Sequence, residues 1–313
     1  MGVECTIEAM VEADTILNQR SEVKNMPINM CHIAPVSYLP LVRHYPVHLL
    51  LAHLVEENEQ YRNFYIDLKR ENPDVFYHMD CSTFEMFKRG LPMYDADKLM
   101  EMGKLVSADS IVLPDFPKQH WAKTIEAADR MIPLFKNEGF GTFFCPQSEL
   151  ADIHGLMSGF EWAIDNTDID YIGVSILSCP IALGVNESKY GSEQRDESYR
   201  MQRYLSRWAI FEELDRRQLL DYRCNKRFHC LGMTDGPREI SLLRDYQSFI
   251  WSWDSSSAIW HAHNGITYDR SPTGLAQGKC ELEVDFDSVA DTTIENISRI
   301  NYNMHYIDSL CRG

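Results

Sequence analysis

Apolar residues in this chain gather in short blocks, and each block ends on a polar or acidic position before a longer, helix-like stretch begins. Eight such blocks can be counted, at residues 28–32, 48–53, 75–80, 111–115, 142–147, 171–175, 228–231 and 249–254. Most are rich in Val, Ile, Leu, Phe and Tyr and lack period-two alternation, so they read as strands covered on both faces. Between them, residues 95–106 carry a spaced Leu/Met pattern and residues 119–135 follow Pro117 and are amphipathic. Residues 198–220 are long with one charged face, and residues 289–310 read as a closing helix. Strand–helix alternation implies a parallel sheet. A doubly wound open sheet would give the same alternation, but eight units favour closure into an α/β fold, a single (β/α)8 TIM barrel.

The 313 residues, 44% hydrophobic and 25% charged, suit one such domain over residues 1–313. Residues 1–26 form an N-terminal extension, and the long segment between Ser175 and Phe228 holds an excursion from the barrel. The nine cysteines are odd in number and repeat no spacing, which reads as reduced thiols in a cytoplasmic protein. Cys224, His229 and Cys230 are close in sequence, but a zinc site built on them needs a distant ligand, so they read as core residues and no metal is expected. The longest apolar stretch, residues 47–55, is broken by His48 and His53 and is too short to span a bilayer.

Reading the strand ends, where a barrel of this type carries its chemistry, gives Asp80, Asp115, Gln147, Ser175, Gly232 and Asp254. Any one of these acids read alone is a helix N-cap. Three acids and an amide converging on one mouth read as a site. Without a metal, paired carboxylates suit chemistry at an anomeric carbon, one as nucleophile and one as proton shuttle.

With these residues in place, the chain resembles the tRNA-guanine transglycosylase family, and most of all its phage and bacterial relatives that insert 7-deazaguanines into DNA. The likeness runs from about Pro27 to the C-terminus and rests on the order and spacing of degenerate motifs. The family's Asp-Ser-Gly-Gly-aromatic motif corresponds to Asp80-Cys81-Ser82-Thr83-Phe84. The resemblance implies that Asp80 is the general acid/base and that Phe84 stacks on the base. The family's guanine-reading acid corresponds to Asp115, suited to the adjacent N1–H and 2-amino donors of guanine. Cys145-Pro146-Gln147 supplies an amide to donate to the guanine carbonyl, and Ser175 falls where the family contacts the base through backbone. Leu231-Gly232 matches the pair that covers the opposite face of the base, followed by Asp235-Gly236-Pro237. Asp254, closing residues 249–254, takes the place of the nucleophile.

The resemblance further implies no cofactor, DNA and a 7-deazaguanine base as substrates, a homodimer or a protein partner, and the host cytoplasm if the chain is phage-encoded. Departures bear on the substrate. The family's Pro-Thr-Arg after the nucleophile is replaced by residues 255–263, where His261 or His263 is expected to take over phosphate contacts. The family's zinc subdomain is absent, the chain passing from Cys280 through Asp285-Phe286-Asp287 to the closing helix, which fits DNA better than tRNA. Ser82-Thr83 in place of Gly-Gly is expected to narrow the pocket. The net charge of -17 runs against nucleic-acid binding, although basic stretches occur at residues 62–70, 200–207 and 216–227. Three alternatives stand beside this reading: a tRNA-directed transglycosylase, a non-catalytic paralogue acting as a binding subunit, and an unrelated barrel glycosidase or metal-dependent hydrolase.

Overall fold

All eight apolar blocks form strands. The computed structural model describes residues 27–185, 197–221, 224–233, 236–276 and 292–313. In it the strands are β1 (Asn29–His32), β2 (Val47–Leu51), β3 (Phe76–Asp80), β4 (Ser110–Val112), β5 (Gly141–Phe144), β6 (Tyr171–Ser175), β7 (Arg227–Leu231) and β8 (Ile250–Ser255). Every ladder is parallel and the order is β1-β8-β7-β6-β5-β4-β3-β2. Strands β1 and β2, at the two ends of that order, lie beside one another, so the sheet curls into a nearly closed (β/α)8 TIM barrel. The N-terminal extension 1–26, Asp235, Cys280 and the Asp285-Phe286-Asp287 segment lie outside the described residues, as does the side chain of Phe84.

The helices that alternate with these strands are α1 (Leu39–Val42), α2 (Ala52–Glu57), α3 (Glu59–Glu71), α4 (Thr83–Arg89), α5 (Ala96–Val106), α6 (Trp121–Asn137), α7 (Ile153–Asp165), α8 (Ser178–Ala182), α9 (Glu197–Arg216), α10 (Glu239–Leu242), α11 (Ser257–His263) and α12 (Ile294–Arg312). Their starts follow local chemistry. The Asp95 side chain accepts from Lys98 N at 2.8 Å to open α5, and Asp152 accepts from Gly155 N at 2.8 Å to open α7. The second block ends sooner than its composition suggests, because Ala52 and His53 already belong to α2. Among the described residues no helix is long and apolar enough to cross a membrane.

The barrel interior is filled by rings. Phe76, His78, Phe143, Tyr171, His229 and Trp251 meet edge-to-face or tilted, with centroid separations of 4.6–5.4 Å for the four contacts of His78 with Tyr171, Phe143, Trp251 and His229. Burial holds the His78 imidazole well below its ordinary range, with His229 and Arg227 adding to the effect. Gly173 on β6 is needed here, since a Cβ would sit 2.8 Å from Leu231 Cδ1 and 2.9 Å from Phe143 Cε2.

Strand β8 carries a bulge. Phe228 pairs with Ile250 but His229 pairs with Ser252, so Trp251 is the extra residue. Trp251 packs on the interior rings, and Ser252 also faces inward, its Oγ 2.6 Å from His229 Nδ1. The bulge reverses the facing of everything after it. Trp253 turns outward to lie under the Arg207 guanidinium, 4.5 Å from the ring centroid, and Asp254 turns inward.

Candidate active site at the barrel mouth

Acids occur at both rims of the barrel, and their company differs. At the N-terminal rim, Asp109 accepts from Tyr77 N at 2.7 Å and pairs with Lys69 at 2.8 Å. Asp170 accepts from Thr142 N at 2.8 Å and pairs with Lys136 at 2.6 Å. These acids tie neighbouring strands together, each neutralised by a lysine. At the C-terminal rim, Asp80 ends β3, Asp254 is in the last turn of β8, and Asp115 lies in the loop after β4. Among the described residues no lysine or arginine pairs with any of these three.

Burial pushes the Asp80 carboxyl well above the usual carboxylate range, and Glu85, Asp115 and Asp254 raise it further, while the Ser82 backbone N–H opposes them. Asp80 thus senses the other two strand-end acids as well as Glu85. Glu85, on α4, is a fourth carboxylate that strand-end reading does not reach. Burial raises Asp115 as well, and the Thr83 hydroxyl and the Gln147 amide pull it back. Asp115 is 7% exposed and Asp254 4%, so both are largely withdrawn from bulk water.

Asp254 is held through one oxygen. Its Oδ1 accepts from Gly232 N at 3.0 Å and lies 2.9 Å from His229 Nε2. Gly232 has φ 72, in the left-handed region, and a Cβ there would fall 2.7 Å from Ile176 Cγ2. Its carbonyl accepts from Arg207 Nη2 at 2.7 Å and from Trp253 Nε1 at 2.8 Å. Arg207 also donates to the Val174 and Leu231 carbonyls. One buried arginine on α9 thus fixes the ends of β6 and β7, a function that its place in a basic stretch conceals.

The remaining sequence-predicted residues separate. Gln147 Nε2 donates to Asp115 Oδ2 and lies 3.6 Å from Cys145 Sγ, while its buried Oε1 has no hydrogen-bond partner among the described residues. The amide N–H expected to reach a base carbonyl is spent on Asp115, and this position offers an acceptor instead. Ser175 is buried, and its Oγ accepts from Leu177 N at 3.1 Å, closing the turn after β6. Leu231 is partly buried at the mouth and packs on the interior. Ser82 stands at φ 55, the left-handed conformation that suits the glycine of the family motif, and its Oγ is spent on His53 Nδ1 at 2.9 Å.

One expectation is corrected. His261 is 1% exposed and packs against Tyr268, with Nδ1 2.9 Å from the phenol oxygen, so it is a core residue of α11 and not a phosphate contact. His263, in the last turn of α11, is exposed. Cys230 and His229 are adjacent in β7 and face opposite sides of it, so they cannot share an ion with Cys224. Among the described residues no group of three or more His, Cys, Asp and Glu side chains converges to hold a metal. The basic stretches are largely engaged: Arg62 donates to the Val55 and Glu56 carbonyls, Arg70 pairs with Asp67, and Arg216 and Arg217 both pair with Glu213.

No family model matches this chain, and no curated protein matches it. Solved structures similar to it include the tryptophan synthase subunit alpha from Legionella pneumophila str. Paris, at 12% identity and a TM-score of 0.44, covering 80% of this chain and 90% of that one. A putative fructose-1,6-biphosphate aldolase from Coccidioides immitis is similar at 11% identity and a TM-score of 0.46, covering 96% and 93%. A mandelate racemase/muconate lactonizing enzyme from Roseiflexus sp. is similar at 8% identity and a TM-score of 0.40, covering 75% and 57%. Likeness at this level assigns no chemistry to the mouth described above.

Proposed function

We propose that this protein is a base-exchange glycosyltransferase that replaces guanine in DNA with a 7-deazaguanine through a covalent Asp254–sugar intermediate. One observation carries the reading: Asp80 ends its strand at the same rim as Asp115 and Asp254, which with burial raise its carboxyl, and among the described residues no lysine or arginine pairs with any of the three. Such a cluster is costly to fold and is kept where charge is to be developed or a proton moved.

The roles divide by environment. Asp254 is fixed through Oδ1 and attacks C1′ of the flipped nucleotide as the C1′–N9 bond breaks. Asp80, whose carboxyl is held toward its protonated form, gives its proton to the departing guanine. The incoming 7-deazaguanine returns a proton to Asp80, its N9 takes C1′, and the C1′–Asp254 bond breaks. One glycosidic bond replaces another of similar energy, so the exchange needs no nucleotide cofactor. Asp115 accepts from the N1–H and 2-amino edge of the base, with Leu231 and Gly232 along one face.

The test is incorporation. Purified protein is mixed with a 7-deazaguanine and either duplex DNA or tRNA, and the digested nucleosides are read by mass spectrometry, with Asp254→Ala alongside. A modified deoxynucleoside absent from the variant supports the reading. A modified ribonucleoside alone keeps the chemistry and moves the substrate to tRNA. Neither product favours the binding-subunit reading, which the net charge of -17 supports.

A further inference from the structure

The most completely enclosed histidine at the mouth has no part in the scheme above. His229 is 0% exposed and sits between two residues of the neighbouring strand, with Nδ1 2.6 Å from Ser252 Oγ and Nε2 2.9 Å from Asp254 Oδ1. Both contacts depend on the β8 bulge, which turns Ser252 and Asp254 to the same side. A carboxylate oxygen only accepts, so the proton of this second contact must lie on Nε2. The Ser252 hydroxyl, free to rotate, satisfies Nδ1 whichever way that nitrogen requires.

Gly232 N approaches the same Oδ1 at 3.0 Å. Oδ1 therefore accepts twice, and among the described residues nothing donates to Oδ2. A carboxylate oxygen that accepts two hydrogen bonds is a poorer nucleophile than its unengaged twin. The two donors also stop the carboxylate from rotating about χ2.

From this geometry we infer that His229 is the positioning residue of the nucleophile: Ser252 orients its ring, its Nε2–H and the Gly232 N–H pin Asp254 Oδ1, and Oδ2 is left as the oxygen that bonds to C1′. The inference rests on the transglycosylase reading for the bond it names. The hydrogen-bonded chain Ser252–His229–Asp254 stands apart from that reading and is tested separately. His229 touches no substrate; it acts through Asp254, as the orienting group of a catalytic pair does.

Two arms distinguish the failures. In the first, the full chain labelled with 15N-histidine is examined by NMR, with the His229 signals identified by their loss in His229→Gln. A proton bonded to Nε2, with a shift that moves in Asp254→Asn and in Ser252→Ala, is expected. A bare Nε2 overturns the inference whatever the protein catalyses.

In the second arm, base exchange is measured for His229→Leu, His229→Gln and Ser252→Ala. His229→Leu is expected to lower kcat about 100-fold with KM for DNA within about twofold, the size of a lost catalytic orientation. His229→Gln, which can still present an N–H, is expected to recover about tenfold of that loss, and Ser252→Ala to lose about tenfold. Full activity in folded His229→Leu or in Ser252→Ala overturns the positioning role while the transglycosylase reading survives. Wild-type protein inactive on both DNA and tRNA overturns that reading, and the bond to C1′ assigned here falls with it.

Discussion

Arg207 and Glu239 meet in a two-pronged ion pair inside the protein, Nε to Oε1 at 2.7 Å and Nη2 to Oε2 at 2.9 Å, with both side chains at most 1% exposed. The guanidinium spends its other donors on the Val174, Leu231 and Gly232 carbonyls and lies over the Trp253 ring. Arg207→Met is expected to destabilise the fold by about 3–5 kcal/mol, because it takes the guanidinium from the buried Glu239 carboxylate. The double variant Arg207→Met, Glu239→Leu should recover a large part of that loss. Urea unfolding of wild type, Arg207→Met, Glu239→Leu and the double variant measures both quantities, and a loss under about 1 kcal/mol in Arg207→Met would contradict the ion-pair assignment.

Gly232 is placed to report on the mouth directly. Gly232→Ala puts a side chain at φ 72, which costs roughly 1–2 kcal/mol, and drives its methyl to 2.7 Å from Ile176 Cγ2. Loss of stability should be accompanied by loss of base exchange, since the Gly232 N–H holds Asp254. Adding Ile176→Val leaves that clashing Cγ2 in place and should restore little, whereas Ile176→Ala removes it and should restore part of the stability. Thermal melts of the three variants decide between strain and crowding.

Asp80 gives the protein a pH signature. Its folded carboxyl titrates above its unfolded value, so the folded state binds the extra proton. The stability this contributes is complete below the unfolded carboxylate range, near pH 4, and is lost as pH rises through the higher folded value. Asp80→Asn removes the ionisation. It should therefore be more stable than wild type at pH 8 and lose that advantage as pH falls toward 4, while base exchange drops by about 10²–10⁴-fold. Chemical denaturation across pH tests the first part, and an advantage that grows on acidification would reverse the sign argued here.

Asp115 and Gln147 form a hydrogen-bonded pair at the side of the mouth, so the two are best tested together. Asp115→Asn replaces an acceptor with an amide facing the donors of guanine and should lower kcat/KM by about 100-fold or more. Gln147→Ala should cost less, because Asp115 keeps the Thr83 hydroxyl as a partner. Competition between guanine and hypoxanthine, which lacks the 2-amino group, reads the discrimination: wild type should prefer guanine and Asp115→Asn should lose that preference.

The eight strands and the start of α5 were legible because each is a local matter. Blocks of Val, Ile, Leu, Phe and Tyr mark strands covered on both faces, and the spaced Leu/Met pattern of residues 95–106 marks α5, which Asp95 opens by chemistry spanning three residues. The acids Asp80, Asp115 and Asp254 could be picked out for the same reason, each lying at or just past the end of an apolar block. The neutralisation of Asp109 and Asp170 at the other rim could not, because their lysines come from helices 34 to 40 residues away.

Local chemistry along the chain thus sets the succession of strands and helices and puts carboxylates at the C-terminal ends of the strands. The facing of those carboxylates was decided by tertiary structure. Strict alternation from the inward Trp251 would send Asp254 outward to the helices; the bulge opposite Phe228 and His229 turns it back, and a bulge is set by the register of the neighbouring strand. His229 behind Asp254, the influence of Glu85 on Asp80 and the burial of His261 on the inner face of α11 have the same origin. Each depends on contacts between side chains brought together by closure of the barrel, and periodicity along one strand or helix carries no information about its neighbour.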